Sequence, residues 1–223
     1  MKILNLKNMK PKKNLSNKVF FIYLAVLYAV ILLVLFGVIT LNSSPRQTSS
    51  HANWTWNMSL QPFDTLYVKK SAKIVLTPSD DYSITSLGGL SYVENNGVLY
   101  LKSDNVNVKL PHDVVVKIAP GVNVKMSYGL SDLYLIAGQN SSVSVISDSL
   151  ANAKIQANDA QVNLQVKSLM SLNLYLRQSN LSVMTSSQLQ DLSGFADNTS
   201  SIQILSHVVN NRLRGGASLV ISK

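Results

Sequence analysis

The sequence predicts an all-β domain, wound as a β-solenoid of the right-handed parallel β-helix kind, behind a single N-terminal transmembrane helix. Three observations carry this. Residues 19–41 contain no charge. From Phe63 onward apolar residues alternate with polar ones. In the second half, short apolar-x-apolar triplets recur at nearly constant spacing.

The helix comes first in the chain. From Val19 to Leu41 no residue carries a charge. As a helix this run extends about 35 Å at ~1.5 Å per residue, enough to cross a hydrocarbon core of roughly 30 Å. Backbone groups in lipid must be bonded internally, and for a lone segment only a helix does this. Phe20, Phe21, Tyr23 and Tyr28 cluster near its start, where aromatic rings favour the interface. A cleaved signal peptide fits less well: its apolar core spans about 7–15 residues and precedes a small-x-small site. Here Val38-Ile39-Thr40-Leu41 is bulky.

Lysines orient the helix. Lys2, Lys7, Lys10, Lys12, Lys13 and Lys18 precede the apolar run with no acid among them, and only Arg46 follows within the next twenty residues. The expected arrangement is a basic cytoplasmic tail over 1–18, a span over 19–41 in contact with lipid, a linker over 42–59 and a domain over 60–223 outside the cytoplasmic membrane. The net charge of +9 falls to +3 once the six lysines are set aside, leaving 14 Lys and Arg against 11 Asp and Glu. The basic character is therefore a topology signal, and no nucleic-acid partner is expected. Cysteine is absent. That excludes disulfides, Cys-ligated zinc and thiol nucleophiles.

Residues 42–59 are rich in Asn, Ser and Thr, with Pro45, and read as an extended spacer. Trp54 and Trp56 read as half-buried strand residues. Beyond Phe63, Leu66-x-Val68 and Ala72-x-Ile74-x-Leu76 alternate at period two, which places one strand face on a core. Asn96-Gly97 supplies the positive φ angles of a tight hairpin before Val98–Leu101. Val106-x-Val108-x-Leu110 and Val114–Ile118 continue the pattern, closed by Pro111 and Pro120.

The triplets begin at Leu133, Val143, Ala153, Val162, Leu172 and Leu181, so that one follows another every nine or ten positions. Two architectures use such a pattern, an antiparallel β-sandwich and a β-solenoid. Near-constant spacing favours the solenoid, with two strands per coil and a coil of about 19 residues. Asn and Ser at equivalent turns suit stacked side-chain ladders. The segment 210–223 is expected to cap the far end or pair with another chain.

Phe63-Asp64-Thr65-Leu66-Tyr67-Val68, Ala72-x-Ile74-x-Leu76-Thr77 and Val93-Glu94-Asn95-Asn96-Gly97-Val98-Leu99-Tyr100-Leu101 resemble the opening elements of the DUF2807 family, the auto-transporter adhesin head GIN domain. Ser193-Gly194-Phe195-Ala196 and Gly215-Gly216-Ala217-Ser218 are similar to its Ser-Gly-Ala-Ser turns, most of which this chain lacks. The resemblance covers roughly residues 60–223. It implies a β-helix-like fold, a cell-envelope setting and an adhesive role, and it carries over no catalytic residue.

Signals for chemistry are weak. His51, His112 and His207 have no partner at metal-ligand spacing. Tyr128-Gly129-Leu130-Ser131-Asp132 misses the Gly-x-Ser-x-Gly elbow. Asp80 and Asp81 read as a turn after Pro78 and Ser79. Asp132, Asp148, Asp159 and Lys154 would have to converge on one face to serve a polysaccharide-cleaving solenoid. No nucleotide-binding motif is present, so no cofactor, no metal and no catalytic residue is expected. Three roles stay open: a binding or adhesion module for a glycan or envelope protein, an envelope sensor or scaffold, and a polysaccharide-acting enzyme. The residues favour the first.

Overall fold

The computed structural model describes residues 55–222 apart from Ser149. The expected span from Val19 to Leu41, the six lysines before it, His51 and Trp54 lie outside the described residues. Among the described residues every regular element is a strand, and no helix is long and apolar enough to cross a membrane.

In chain order the strands are β1 (Thr55–Ser59), β2 (Thr65–Val68), β3 (Ala72–Pro78), β4 (Ser83–Leu87), β5 (Tyr92–Asn95), β6 (Val98–Leu101) and β7 (Asn105–Leu110). Then follow β8 (Val115–Ile118), β9 (Asn123–Tyr128), β10 (Asp132–Ala137), β11 (Ser142–Ser147), β12 (Asn152–Asn158) and β13 (Gln161–Val166). The last six are β14 (Ser171–Arg177), β15 (Asn180–Thr185), β16 (Leu189–Ala196), β17 (Ser201–Leu205), β18 (Val208–Gly215) and β19 (Ser218–Ser222). The first strand thus occupies the end of the stretch read as a spacer, and it contains Trp56.

Period-two sequence becomes two-faced strand. In β13, Val162, Leu164 and Val166 are buried while Gln161, Asn163 and Gln165 are exposed. The strands form two sheets. Sheet A has ten strands, in the order β1-β4-β7-β3-β9-β11-β13-β15-β17-β19. Sheet B has nine, in the order β18-β16-β14-β12-β10-β8-β2-β6-β5. From β8 to β19 the chain alternates between the sheets and every pairing is parallel. In sheet B, Asp132, Asn152, Ser171, Asp191 and Asn210 share one row, each a single coil beyond the last. The spacing of that row matches the coil length that the triplets imply. A β-solenoid is the observed architecture, and parallel pairing rules out the antiparallel sandwich.

The two corners of each coil differ. Between a sheet-A strand and the next sheet-B strand, Leu130, Leu150 and Leu169 are buried at equivalent positions of successive coils. At the opposite corner the inward positions are Ser141, Ala160, Ser179 and Ser200, all buried. Here hydroxyls take backbone donors that the turn leaves over: Ala160 N–H donates to Ser179 Oγ at 3.2 Å, and Ser179 N–H to Ser200 Oγ at 3.2 Å. The turn itself needs positive φ at one position per coil. Gly121, Asn140, Asp159 and Gln178 supply it at φ 70°, 54°, 51° and 48°. They recur at one position in each of four successive coils, but only one of them is Asn; at this corner the side-chain hydrogen bonds between coils come from Ser179 and Ser200, not from a ladder of asparagines. In the next coil Asp197 replaces this device with its carboxylate, which accepts from Ser200 Oγ (2.7 Å), Thr199 Oγ1 (2.9 Å) and the Gln178 N–H. The Ser200 hydroxyl, with the Thr199 and Gln178 donors, holds the Asp197 carboxyl below its ordinary range against an opposing effect of burial.

The N-terminal end is not wound in chain order. Coil β2–β3 lies between coil β6–β7 and coil β8–β9. The chain therefore lays down one coil, adds a second on its outer side, and passes back to continue on its inner side. Strands β1, β4 and β5 pair antiparallel and close that end. The β5–β6 hairpin turns at Asn96-Gly97 with φ 48° and 73°, as a tight turn requires. The return crossing runs through Pro111, His112 and Asp113. His112 stacks edge-on against Tyr82, which packs on Phe63, and His112 hydrogen-bonds the Tyr82 hydroxyl. Burial and the nearby Asp64 carboxylate raise the Tyr82 pKa.

At the other end, residues 210–222 form the last coil rather than a separate cap, and Val209, Val220 and Ile221 are exposed there. Ser193-Gly194-Phe195-Ala196 also differs from its reading as a turn, because it lies inside β16. Gly194 sits at φ 116°, and a Cβ there would overlap the carbonyl of Leu174 in the adjacent strand.

Two outcomes are expected. Gly194→Ala lowers unfolding stability by about 2 kcal/mol or more, read as a drop in denaturant midpoint with unchanged slope; an unchanged midpoint contradicts the close approach. The Asp197 carboxyl is depressed in the folded state, so its contribution is present at pH above its unfolded value of about 3.9 and is lost as pH falls through the lower folded value. Acid titration of Asp197→Asn is therefore expected to lack part of the stability loss that the parent shows as pH falls below the ordinary carboxylate range, at a cost in stability at pH 7.

Candidate functional site

The strand pattern sends alternate residues of sheet B outward, and parallel register lines them into rows. One row crosses all nine strands: Val93, Tyr100, Tyr67, Lys117, Ile136, Gln156, Tyr175, Phe195 and Arg214. The adjacent row carries Tyr134, Lys154, Asn173, Ser193 and Arg212. Rings and cations dominate both rows.

The side chains hold one another in place. Tyr67 and Tyr100 meet edge to face, with centroids 5.7 Å apart, and Lys69 Nζ lies 4.4 Å from the Tyr100 centroid. Lys154 Nζ sits 4.7 Å above Tyr134. Toward the far end, Tyr175 and Phe195 pack at 5.9 Å. Arg177 lies over the Tyr175 ring at 5.3 Å, and its Nη2 donates to the hydroxyl of the same tyrosine at 2.6 Å. Tyr175, Phe195, Arg212 and Arg214 with Ser193 and Gly194 line a shallow open depression of about 660 Å³. Between the rings lie amide and hydroxyl groups, with Asn173 Nδ2 donating to Ser193 Oγ at 2.9 Å.

Charge on this face is one-sided. On strands β10 to β18 of sheet B the outward cations are Lys154, Arg177, Arg212 and Arg214 and the outward acids are Asp132 and Asp191, and Lys69 at the end of β2 and Lys117 on β8 extend the basic set. Asp191 pairs with Arg212 at 3.0 Å, and Asp132 accepts from Asn152 Nδ2 at 2.7 Å. Among the described residues no carboxylate pairs with the other five cations. The outer face of sheet A from β9 to β19 differs in kind. It presents Asn, Ser and Gln with Lys125, Ile146, Met184, Leu205 and Val220, and no aromatic residue.

The residues singled out for catalysis do not converge. Asp148 lies at the leucine corner and pairs with Lys167 at 3.0 Å. Asp159 lies at the opposite, serine corner. Asp132 and Lys154 are on sheet B, in different rows. His112 belongs to the return crossing, and His207 lies between β17 and β18. Tyr128 is buried, with its hydroxyl on the Asp132 carbonyl and the Asp113 carboxylate. Burial, then Asp113, drives its pKa far upward, so it keeps its proton at neutral pH. Among the described residues no group of His, Asp and Glu could hold a metal ion.

Local sequence patterns do not show the sheet-B rows, which become visible only at the coil offset. Tyr134 and Lys154 are one coil apart, as are Gln156 and Tyr175, Tyr175 and Phe195, and Phe195 and Arg214. Read with that offset, outward rings and cations fall into line.

One solved structure shares this architecture, and two others are weaker likenesses. A "putative adhesin" from Bacteroides fragilis superposes with a TM-score of 0.51 at 13% identity, covering 80% of this chain and 98% of its own. A "putative adhesin" from Parabacteroides distasonis gives 0.41 at 9% identity, over 78% and 98%. A "putative lipid binding protein" from the same organism gives 0.32 at 12%, over 77% and 97%. The first likeness establishes a shared fold. No protein-family model and no curated protein matches the chain.

If the rows of sheet B serve recognition rather than folding, removing their charges leaves stability intact. Lys154→Gln and Arg214→Gln are each expected to change unfolding free energy by less than about 1 kcal/mol, measured by denaturant titration. A larger loss assigns them to the scaffold.

Proposed function

We propose that this chain is a non-catalytic binding module of the bacterial cell envelope, tethered to the cytoplasmic membrane through residues 19–41 with its solenoid outside. The observation that carries the binding role is the outer face of sheet B, an array of pre-arranged rings and of cations that, Arg212 apart, have no carboxylate partner among the described residues. Rings and cations already held in place lose little freedom when a ligand arrives, which favours affinity. The dispersed carboxylates support a non-catalytic reading, because hydrolysis of a glycosidic bond needs two of them flanking one bond.

Membership of the DUF2807 group is part of this proposal. It is supported by the opening strands Phe63–Val68 and Ala72–Thr77, by the Asn96-Gly97 hairpin and by the shared fold. The adhesin name of the Bacteroides fragilis neighbour points the same way. The tether rests on the uncharged run Val19–Leu41 and on Lys2, Lys7, Lys10, Lys12, Lys13 and Lys18 before it.

Protease treatment of bacterial spheroplasts making the full chain tests the topology. The expected result is loss of a C-terminal epitope while the protein stays with carbonate-washed membranes. Recovery in the soluble fraction, or an epitope that survives until the membrane is lysed, overturns the arrangement.

A further inference from the structure

We infer that the outer face of sheet B binds a linear anionic polysaccharide, laid along the stack of coils. The inference rests on the reading of the domain as an extracytoplasmic binding module and names the chemistry of its ligand.

Four observations lead there. The face is long and open, and its depressions are shallow, so it suits a polymer rather than an enclosed small molecule. Its rows run across the strands, along the direction in which coils stack. Neighbouring strands stand ~4.8 Å apart, so the four steps from Tyr67 to Tyr175 span about 19 Å and present several successive contacts to one chain. The cations are Lys69, Lys117, Lys154, Arg177 and Arg214, without carboxylate partners among the described residues, and they call for a polyanion. The rings are mostly tyrosines, with amides and hydroxyls between them at Gln156, Asn173 and Ser193. Flat rings beside hydrogen-bonding groups match the alternating apolar and hydroxylated surface of a sugar chain.

Two other polyanionic surfaces fit less well. An anionic bilayer would be met by a continuous apolar surface, whereas exposed Tyr175 and Phe195 on sheet B are set among Lys154, Asn173, Ser193, Arg212 and Arg214, and exposed Ile146, Met184 and Val220 lie on sheet A. Single-stranded nucleic acid stacks successive bases on successive rings, whereas Lys117, Ile136 and Gln156 separate Tyr67 from Tyr175 in their row.

The test uses the full chain purified in detergent and immobilised. The probes are polygalacturonate, its fully methyl-esterified neutral form, an oligothymidylate and phosphatidylglycerol vesicles. Polygalacturonate is expected to bind, with affinity falling about tenfold or more between roughly 50 and 200 mM salt as counterions compete. The esterified chain is expected to bind at least tenfold more weakly. Lys154→Gln with Arg214→Gln, and separately Tyr175→Ser, each reduce polygalacturonate affinity about tenfold or more with an unchanged far-ultraviolet dichroism spectrum. Lys125→Gln on sheet A leaves it unchanged. The inference is overturned by absence of polygalacturonate binding, by equal binding of the esterified chain, by indifference to the sheet-B substitutions, or by tighter binding of vesicles or oligothymidylate. Any of these with the solenoid still protease-exposed on spheroplasts removes the ligand and leaves the tethered module standing; a protected solenoid removes the module reading itself.

Discussion

Everything in this molecule hangs on parallel register between coils. A strand such as β13 is short and has no partner within its own coil. Its ladder bonds go to β11 on one side and β15 on the other. That register aligns Val143, Val162 and Leu181 in one buried row and Val145, Leu164 and Val183 in the next. A slip of one residue would turn both rows to solvent and bring Gln161 and Asn163 into the core. The corners reinforce the lock. Leucines at one corner extend the apolar core to the edge of each coil, while serines at the other satisfy the backbone groups that the left-handed turn residue leaves unbonded.

Much of this was legible in the sequence because it is periodic. The triplets from Leu133/Leu135 to Leu181/Val183 are the buried pairs of β10 to β15, and their spacing sets the coil length. Asn96-Gly97 marked the hairpin for a local reason, since few other residue pairs take positive φ twice in succession. What stayed hidden depends on contacts between distant segments. No local pattern says that β6–β7 stacks outside β2–β3, because that order is a relation between distant segments, as is the Phe63–Tyr82–His112 packing at the crossing. Ser193-Gly194-Phe195-Ala196 looked like a turn because glycine and serine are turn residues. In the fold, glycine is needed at that position inside a strand, where the Leu174 carbonyl comes too close for a Cβ.

The same periodicity explains why the candidate site was harder to find than the core. Buried positions accept a narrow set of residues, so Val, Leu and Ile recur and announce themselves. Outward positions accept nearly anything polar, and Tyr67, Lys117, Tyr134, Lys154 and Tyr175 are scattered singly along the chain. Only the knowledge that every second strand belongs to one sheet gathers them on a common face. The contrast between the sheets is then informative. Sheet A is a surface of amides and hydroxyls with isolated apolar residues, while sheet B concentrates rings and positive charge that the core does not require.

The crossing at Pro111–Asp113 divides the molecule into two regimes of inheritance. Before it, strands are interleaved out of order, and an insertion there would have to rethread the cap. After it, each coil is added at a single free edge, so duplicating one coil's length of chain within β10 to β17 would lengthen the stack by one rung of ~4.8 Å and disturb nothing upstream. Length, and with it the reach of the outward rows, is thereby open to change by gene slippage, while the closed end is frozen.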